Sequence, residues 1–147
     1  MRLTTYTDYT LRVLTRLALR PRDLTTISEI VDSYGISKNH LMKVIHRFGI
    51  AGYIETVRGR YRRIRLRKRP GDINIGEIVR RMEPDFDLVP CFTASNACVI
   101  EPVCVLKDAL ADARDALRTA LERYTLVALV APRRKLAALL NPQPRPL

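Results

Sequence analysis

The feature that most constrains the fold is a short apolar segment, a glycine and a longer apolar segment, followed by alternation of period two. Residues 27–34 (Ile27-Ser28-Glu29-Ile30-Val31-Asp32-Ser33-Tyr34) carry helical spacing and stop at Gly35. Ser37 is expected as an N-cap, and residues 38–51 resume the helical period with Leu41, Val44, Ile45 and Phe48 facing inward. Two helices joined by a glycine-containing turn predict a helix-turn-helix. Upstream, residues 6–20 predict a helix with Tyr6, Tyr9, Val13 and Leu17 on one face. Asp8, Arg12, Arg16 and Arg20 form a polar stripe beside that face, and Pro21 and Asp23 end the helix. Downstream, Tyr53 to Val57 favours a strand, Gly59 permits a turn, and Ile64-Arg65-Leu66-Arg67 alternates, which predicts a β-hairpin. The expected fold class is mainly α with a small β-hairpin: a winged helix-turn-helix.

Charge supports that reading. Residues 1–69 hold 16 of the 26 Lys and Arg and 5 of the 15 Asp and Glu, whereas residues 70–147 hold 10 of each. The whole excess of +11 therefore lies in the first half, which calls for a polyanionic partner, most simply nucleic acid. A basic segment lying on a membrane surface is the rival, but it requires aromatics and leucines opposite the charge. On the predicted third helix, Lys38, Asn39, His40, Lys43 and Arg47 remain for the outer face, where such side chains pair with base edges and phosphates. The hairpin adds Arg58, Arg60, Arg62, Arg63, Arg65, Arg67, Lys68 and Arg69, placed where a wing touches phosphates or a minor groove. With no apolar run near the roughly 18 residues of a membrane span and no signal core, the chain is expected to be cytoplasmic, without a membrane partner.

The second half is organised differently. Pro70 and Gly71 mark a hinge, Ile75 to Met82 predicts a short helix, and residues 84–104 have no clear period. That stretch carries Pro84, Pro90, Pro102 and all three cysteines, Cys91, Cys98 and Cys104. Three thiols do not suit a secreted disulfide scaffold, and their spacing is wider than zinc pairs usually show. An iron–sulfur cluster accepts such spacing, with Asp8, Asp85, Asp87 or Glu101 able to add an oxygen ligand; three free thiols remain the plain alternative. From Val105, Leu106, Leu110, Ala113, Leu117, Ala120 and Tyr124 form an a/d seam, which pairs with a second copy or packs on its own chain. A further helix is expected from Arg133 to Leu140. The domain organisation expected is 1–69 for DNA reading, 70–104 for a short helix and cysteine loop, 105–140 for dimerisation and C-terminal helices, and 141–147 as a disordered tail.

From Met1 to about Val130 the chain resembles the nitric-oxide-sensing iron–sulfur repressors of the NsrR type, in the winged-helix class that includes the IscR regulators. The resemblance is carried by "LTTYTDYTLRVL" at 3–14, "YGISKNHLMKVI" at 34–45, "AGYIETVRGR" at 51–60, "MEPDFDLVPC" at 82–91 and "CVIEPVCVLKDAL" at 98–110. It implies that Cys91, Cys98 and Cys104 are cluster ligands and that Asp8 supplies the fourth from the partner subunit. Ser37, Lys38, Asn39, His40 and Lys43 match the family's recognition helix, and the Arg-rich hairpin with Arg58, Arg60, Arg62 and Arg63 matches its wing. One departure stands out: Arg62 and Arg63 occupy the place of a Gly-Gly pair at the wing tip, adding charge where the family has backbone freedom.

The function expected is a homodimeric, non-enzymatic repressor that binds a palindromic operator through an intact four-iron cluster and releases it on reaction with nitric oxide. A two-iron regulator responding to iron or oxidation shares the same features. So does a metal-independent or zinc-structured winged-helix DNA binder. A redox enzyme fits least, because no substrate or nucleotide motif accompanies the thiols.

Overall fold

The computed structural model describes residues 2–59, 62–83, 88–93 and 98–140. Arg60, Asp85, Asp87 and the 141–147 tail lie outside the described residues.

Helix α1 (Thr5–Leu19) starts where the Thr4 hydroxyl accepts the amide of Thr7 at 3.3 Å, satisfying one orphan donor of the first turn. Strand β1 (Thr25–Thr26) leads into α2 (Ile27–Tyr34) through a capping box between Thr26 and Glu29. Gly35 ends α2 at φ +64°, a left-handed conformation that a side chain resists, so the chain turns there as anticipated. Helix α3 (Lys38–Ile50) follows, with Leu41, Val44, Ile45 and Phe48 all buried. Ser37 sits at its N-cap position, yet its side chain makes no capping hydrogen bond, contrary to expectation.

Strands β2 (Ile54–Val57) and β3 (Arg63–Leu66) form the hairpin, and β1 adds to the far side of β3, giving an antiparallel order β1-β3-β2. Ile64 faces Thr56 on one side and Thr25 on the other, and it is fully buried. β1 was not anticipated: two threonines are too short to show a period, and only pairing with β3 makes them a strand. Arg16 also departs from the reading. Its spacing puts it on a polar stripe, yet it is only 6% exposed, because α2, α3, α4, α6 and α7 all pack on α1 and leave it little free surface.

Helix α4 (Ile75–Met82) lays Ile75, Ile78, Val79 and Met82 into the same core as Leu14, Ile30, Phe48 and Tyr53. Helix α6 (Leu126–Leu129) and helix α7 (Arg133–Leu140) return to α1 and bury Leu126 and Leu140. The Arg133 guanidinium donates to the Leu19 carbonyl, and the Ser33 hydroxyl donates to the Leu140 carbonyl at 2.8 Å.

Helix α5 (Val105–Glu122) differs from every other long helix: none of its residues is buried. Its 18 residues span about 27 Å, and Tyr124 lies beyond its end rather than on the seam. Its C-terminal end is fastened to α4. The Ile75 amide donates to the Tyr124 carbonyl at 2.9 Å, Asn74 Nδ2 donates to the Glu122 carbonyl at 2.7 Å, and Arg80 pairs with the Glu122 carboxylate. Gly76 permits this approach, since a Cβ there would lie 2.9 Å from the Glu122 backbone nitrogen. Along the rest of α5, Leu106 is 66% exposed and Leu110 and Leu117 are half-buried. The seam is not packed into the core of its own chain.

Candidate functional site

Two sets of side chains stand out: a basic cleft on the winged half, and a thiol-bearing segment at the foot of α5. In the cleft, Lys38, Asn39 and Met42 of α3, Thr26 to Ser28 at the start of α2, and Arg62 of the wing line one open surface. The turn at Gly35 places the first turn of α3 beside the start of α2, and the hairpin brings Arg62 to the same place. Ser37 and Lys43 are exposed on this half, as are Arg58 and Arg63 on the wing. A helix presenting lysine and asparagine beside an arginine-bearing hairpin can reach base edges and phosphates together.

Several of the exposed cations expected at this surface also hold partners within the chain. Arg47 donates to the Arg81 carbonyl at 3.2 Å, tying α3 to the end of α4. Arg65 pairs with Glu55 at 2.6 Å, Arg69 pairs with Asp72 at 2.8 Å, and the Lys68 ammonium lies 4.1 Å above the Tyr53 ring. Behind the wing, the Tyr53 hydroxyl donates to Glu77 at 2.7 Å, and Arg81 completes the group. The hydrogen bond from Tyr53 holds the Glu77 carboxyl below the ordinary glutamate range, while burial pushes the Tyr53 phenol up. His40 is exposed and does not line that cleft; its ring lies 5.8 Å from the rings of both Tyr6 and Tyr9 of α1.

Cys91 lies in a 3-10 turn (Pro90–Phe92), Cys98 is exposed, and Cys104 sits at the N-cap of α5; none is in a disulfide. Lys107, in the first turn of α5, ties together the segment from Cys98 to Cys104. Its ammonium pairs with Glu101, its amide donates to the Cys104 carbonyl at 3.2 Å, and the Glu101 amide donates to the Cys98 carbonyl at 3.2 Å. The Glu101 hydrogen bond raises the Lys107 pKa. Next to Cys91, the Phe92 ring lies 4.9 Å from the Arg114 guanidinium carbon, which docks that turn on α5. Glu101 is thus committed to Lys107 as an ion-pair partner.

Asp8 lies elsewhere. It pairs with Arg12 at 3.0 Å and lines a cavity with Arg2, Thr5, Tyr9 and Tyr34, while Cys104 lines a separate one with Glu101 and Lys107. Among the described residues, no three His, Cys, Asp or Glu side chains converge as a metal site within one chain. The donor types nevertheless suit iron and sulfide: soft thiolates on short turns, a cation beside them to offset charge, and a carboxylate accessible to a second copy.

One connection escaped sequence reasoning. Glu83, the last described residue before the 84–87 stretch, accepts from the Thr4 amide at 2.8 Å and from the hydroxyls of Thr4 and Thr7. It pins the start of α1 to the end of α4, at the entrance to the cysteine segment. A contact 79 residues apart has no local sequence signal.

Residues 3–132 match the Rrf2 family, described as an iron-dependent transcriptional regulator. The chain is 54% identical over 143 residues to the HTH-type transcriptional regulator NsrR of Bacillus subtilis, covering 96% of this chain and 98% of that protein. Its fold is similar to Staphylococcus aureus CymR in the oxidized form, at 25% identity and TM-score 0.71, over 88% of this chain and 95% of that one. It is also similar to T. potens IscR, at 20% identity and TM-score 0.72, over 90% and 88%. No helix among the described residues is long and apolar enough to cross a membrane. With a winged helix-turn-helix, a basic cleft and relatives that are transcriptional regulators rather than enzymes, this chain is a DNA-binding transcriptional regulator and belongs to the Rrf2 family.

Proposed function

We propose that the protein is a homodimeric, cytoplasmic repressor that holds a palindromic operator while a four-iron cluster is intact and releases it when nitric oxide reacts with that cluster. In this reading residues 1–69 contact DNA through Ser37, Lys38, Asn39, Lys43, Arg58, Arg60, Arg62 and Arg63. Residues 70–104 carry the sensor, and residues 105–140 join the two copies. The observation that carries the proposal is a division of ligands. Cys104 and, through Glu101, the Cys98 turn lie beside Lys107 at the foot of a helix with no buried residue, while Asp8 occupies a different cavity. A second copy paired along α5 supplies what one chain lacks, with the partner's Asp8 as fourth ligand. Three thiolates and one carboxylate give one protein ligand for each of four irons.

When bound, the cluster supplies iron atoms open to nitric oxide, most readily at the carboxylate-held corner, since oxygen is a weaker partner to iron than thiolate. The chain's own residues convert that into DNA release. Asp8 has a competing partner in Arg12, an ion pair that ligation to iron must break. Glu83 and the Thr4 and Thr7 hydroxyls fix the turn that presents Asp8, so a shift there moves α1 against α4. Arg47 joins α4 to α3, and two α3 helices must sit about 34 Å apart to read successive turns of duplex DNA. A coupling of about 3 kcal/mol suffices for a roughly hundredfold change in affinity.

The test is the absorption spectrum of anaerobically purified protein with iron and sulfide counts, before and after nitric oxide. A broad visible band at about four irons per chain, bleached by nitric oxide, is expected. Asp8→Ala is expected to melt like wild type yet lose that band faster. A colourless zinc protein contradicts the proposal, about two irons per chain points to a two-iron regulator, and an unchanged cluster lifetime in Asp8→Ala removes Asp8 as ligand.

A further inference from the structure

His40 is the third residue of α3, in the turn where a helix-turn-helix meets bases. Its immediate neighbours Lys38 and Asn39 line the cleft shared with Arg62, and His40 does not. Its ring is instead set against α1: edge-on to Tyr6, with planes at 89°, and tilted by 48° to Tyr9, both at centroid distances within the range of aromatic pairing. Tyr6 and Tyr9 are partly buried against the core and bracket Asp8 on the same helix, and Tyr9 lines the Asp8 cavity. The three rings therefore bridge the turn that presents Asp8 and the turn that presents Lys38 and Asn39.

We infer that His40 is a positioning residue rather than a base reader: it couples the first turns of α1 to the start of α3, so that release of Asp8 is felt at the DNA-reading turn. The inference builds on the reading of Asp8 as a ligand and adds the route by which its loss reaches DNA. That route is a set of packed side chains, one of the ways in which coupling between sites is carried, and the test below asks whether it carries it here. It is shorter than the path through Glu83, α4 and Arg47, and it ends within two residues of the side chains in the cleft. A ring is needed for it; a hydrogen-bonding nitrogen is not.

The experiment uses the full-length, cluster-loaded protein and a labelled 30-base-pair duplex selected from random sequence by the wild type. Affinity is measured by anisotropy before and after nitric oxide for wild type, His40→Ala and His40→Phe, with single base-pair substitutions of the duplex as a second readout. For wild type, a roughly hundredfold loss on nitric oxide treatment is expected. His40→Ala is expected to shrink that ratio to about tenfold or less, with the visible band, melting temperature and base preferences unchanged. His40→Phe, which keeps a ring, is expected to restore the full ratio. An intact ratio in His40→Ala overturns the inference alone. Loss of preference at one base pair in His40→Ala, with no rescue by His40→Phe, also overturns it and makes His40 a base reader. A wild-type ratio near one overturns the sensing reading itself, which separates the two failures.

Discussion

The winged half and the α5 half are built on opposite terms. In the first, α1 buries Val13, Leu14 and Leu17, α3 buries Leu41, Val44 and Phe48, and the sheet closes over Ile64. Its helix ends are satisfied locally, by Thr4, by the Thr26 and Glu29 box, and by Gly35. In the second, an 18-residue helix with an apolar seam has no fully buried residue, and Val99, Val103, Val105 and Leu106 are exposed around the thiols. Burial of such side chains stabilises by about 1.5–3 kcal/mol each, which is the ground for proposing a second copy on this face. The elements joining the two halves are α4 with Glu83 and Arg47, and in the proposed function a change in the second half reaches the first through them.

The largest way to break this contrast is to deny α5 its partner. The double substitution Leu110→Asp and Leu117→Asp places charge in the seam without touching the core, since neither residue is fully buried. The expected outcome is a folded monomer by light scattering, with affinity for a palindromic duplex reduced at least a hundredfold, because each half-site is then bound singly. An unchanged dimer would place the interface elsewhere.

A smaller effect is expected where the halves are fastened. Gly76→Ala puts a methyl group 2.5 Å from Glu122 Cγ and 2.9 Å from its backbone nitrogen, so α5 must shift away from α4. Overpacking of this kind costs roughly 1–3 kcal/mol, read as a fall in melting temperature. The same shift lengthens the bond from the Ile75 amide to the Tyr124 carbonyl, so faster hydrogen exchange at Ile75 is the local check.

The smallest effect sharpens the comparison within the winged half. The Glu77 carboxyl is held low by the Tyr53 hydroxyl, with Arg81 helping, so its folded-state pKa lies below its unfolded one. Such a group stabilises the fold at neutral pH, and that contribution disappears as pH falls through the lowered folded-state value. Glu77→Gln is therefore expected to lower stability at pH 7 and to match wild type at strongly acidic pH, as measured by urea midpoints across the acid range. A mutant deficit that persists at low pH would assign the effect to packing instead of charge.

Much of the architecture was legible because it is local. Helix α2 runs from Ile27 to Tyr34 and α4 from Ile75 to Met82, as their periods and the stops at Gly35 and Glu83-Pro84 indicate. The a/d seam of α5 was readable as a pattern, although the pattern alone does not say whether it packs on its own chain; the exposure of Leu106 does. What was not legible depends on distant residues. Thr25 and Thr26 become a strand only by pairing with β3, and Arg16 is buried only because later helices fold over α1. Glu83 reads as a helix stop until its carboxylate is found on Thr4 and Thr7, and the contacts of the His40 ring with Tyr6 and Tyr9 have no local sequence signal. The thiols were visible as a set, and the Lys107–Glu101 pair beside Cys104 was not.

The central claim is that the state of the thiol segment governs the state of the DNA-reading half. Its most direct test is a nitric oxide titration of anaerobic protein bound to a labelled selected duplex, following visible absorbance and anisotropy in the same sample. DNA release is expected to rise in step with loss of the visible band, and Cys98→Ala protein to show neither the band nor a nitric-oxide-dependent change in binding. DNA that stays bound after the band has fully bleached would contradict it.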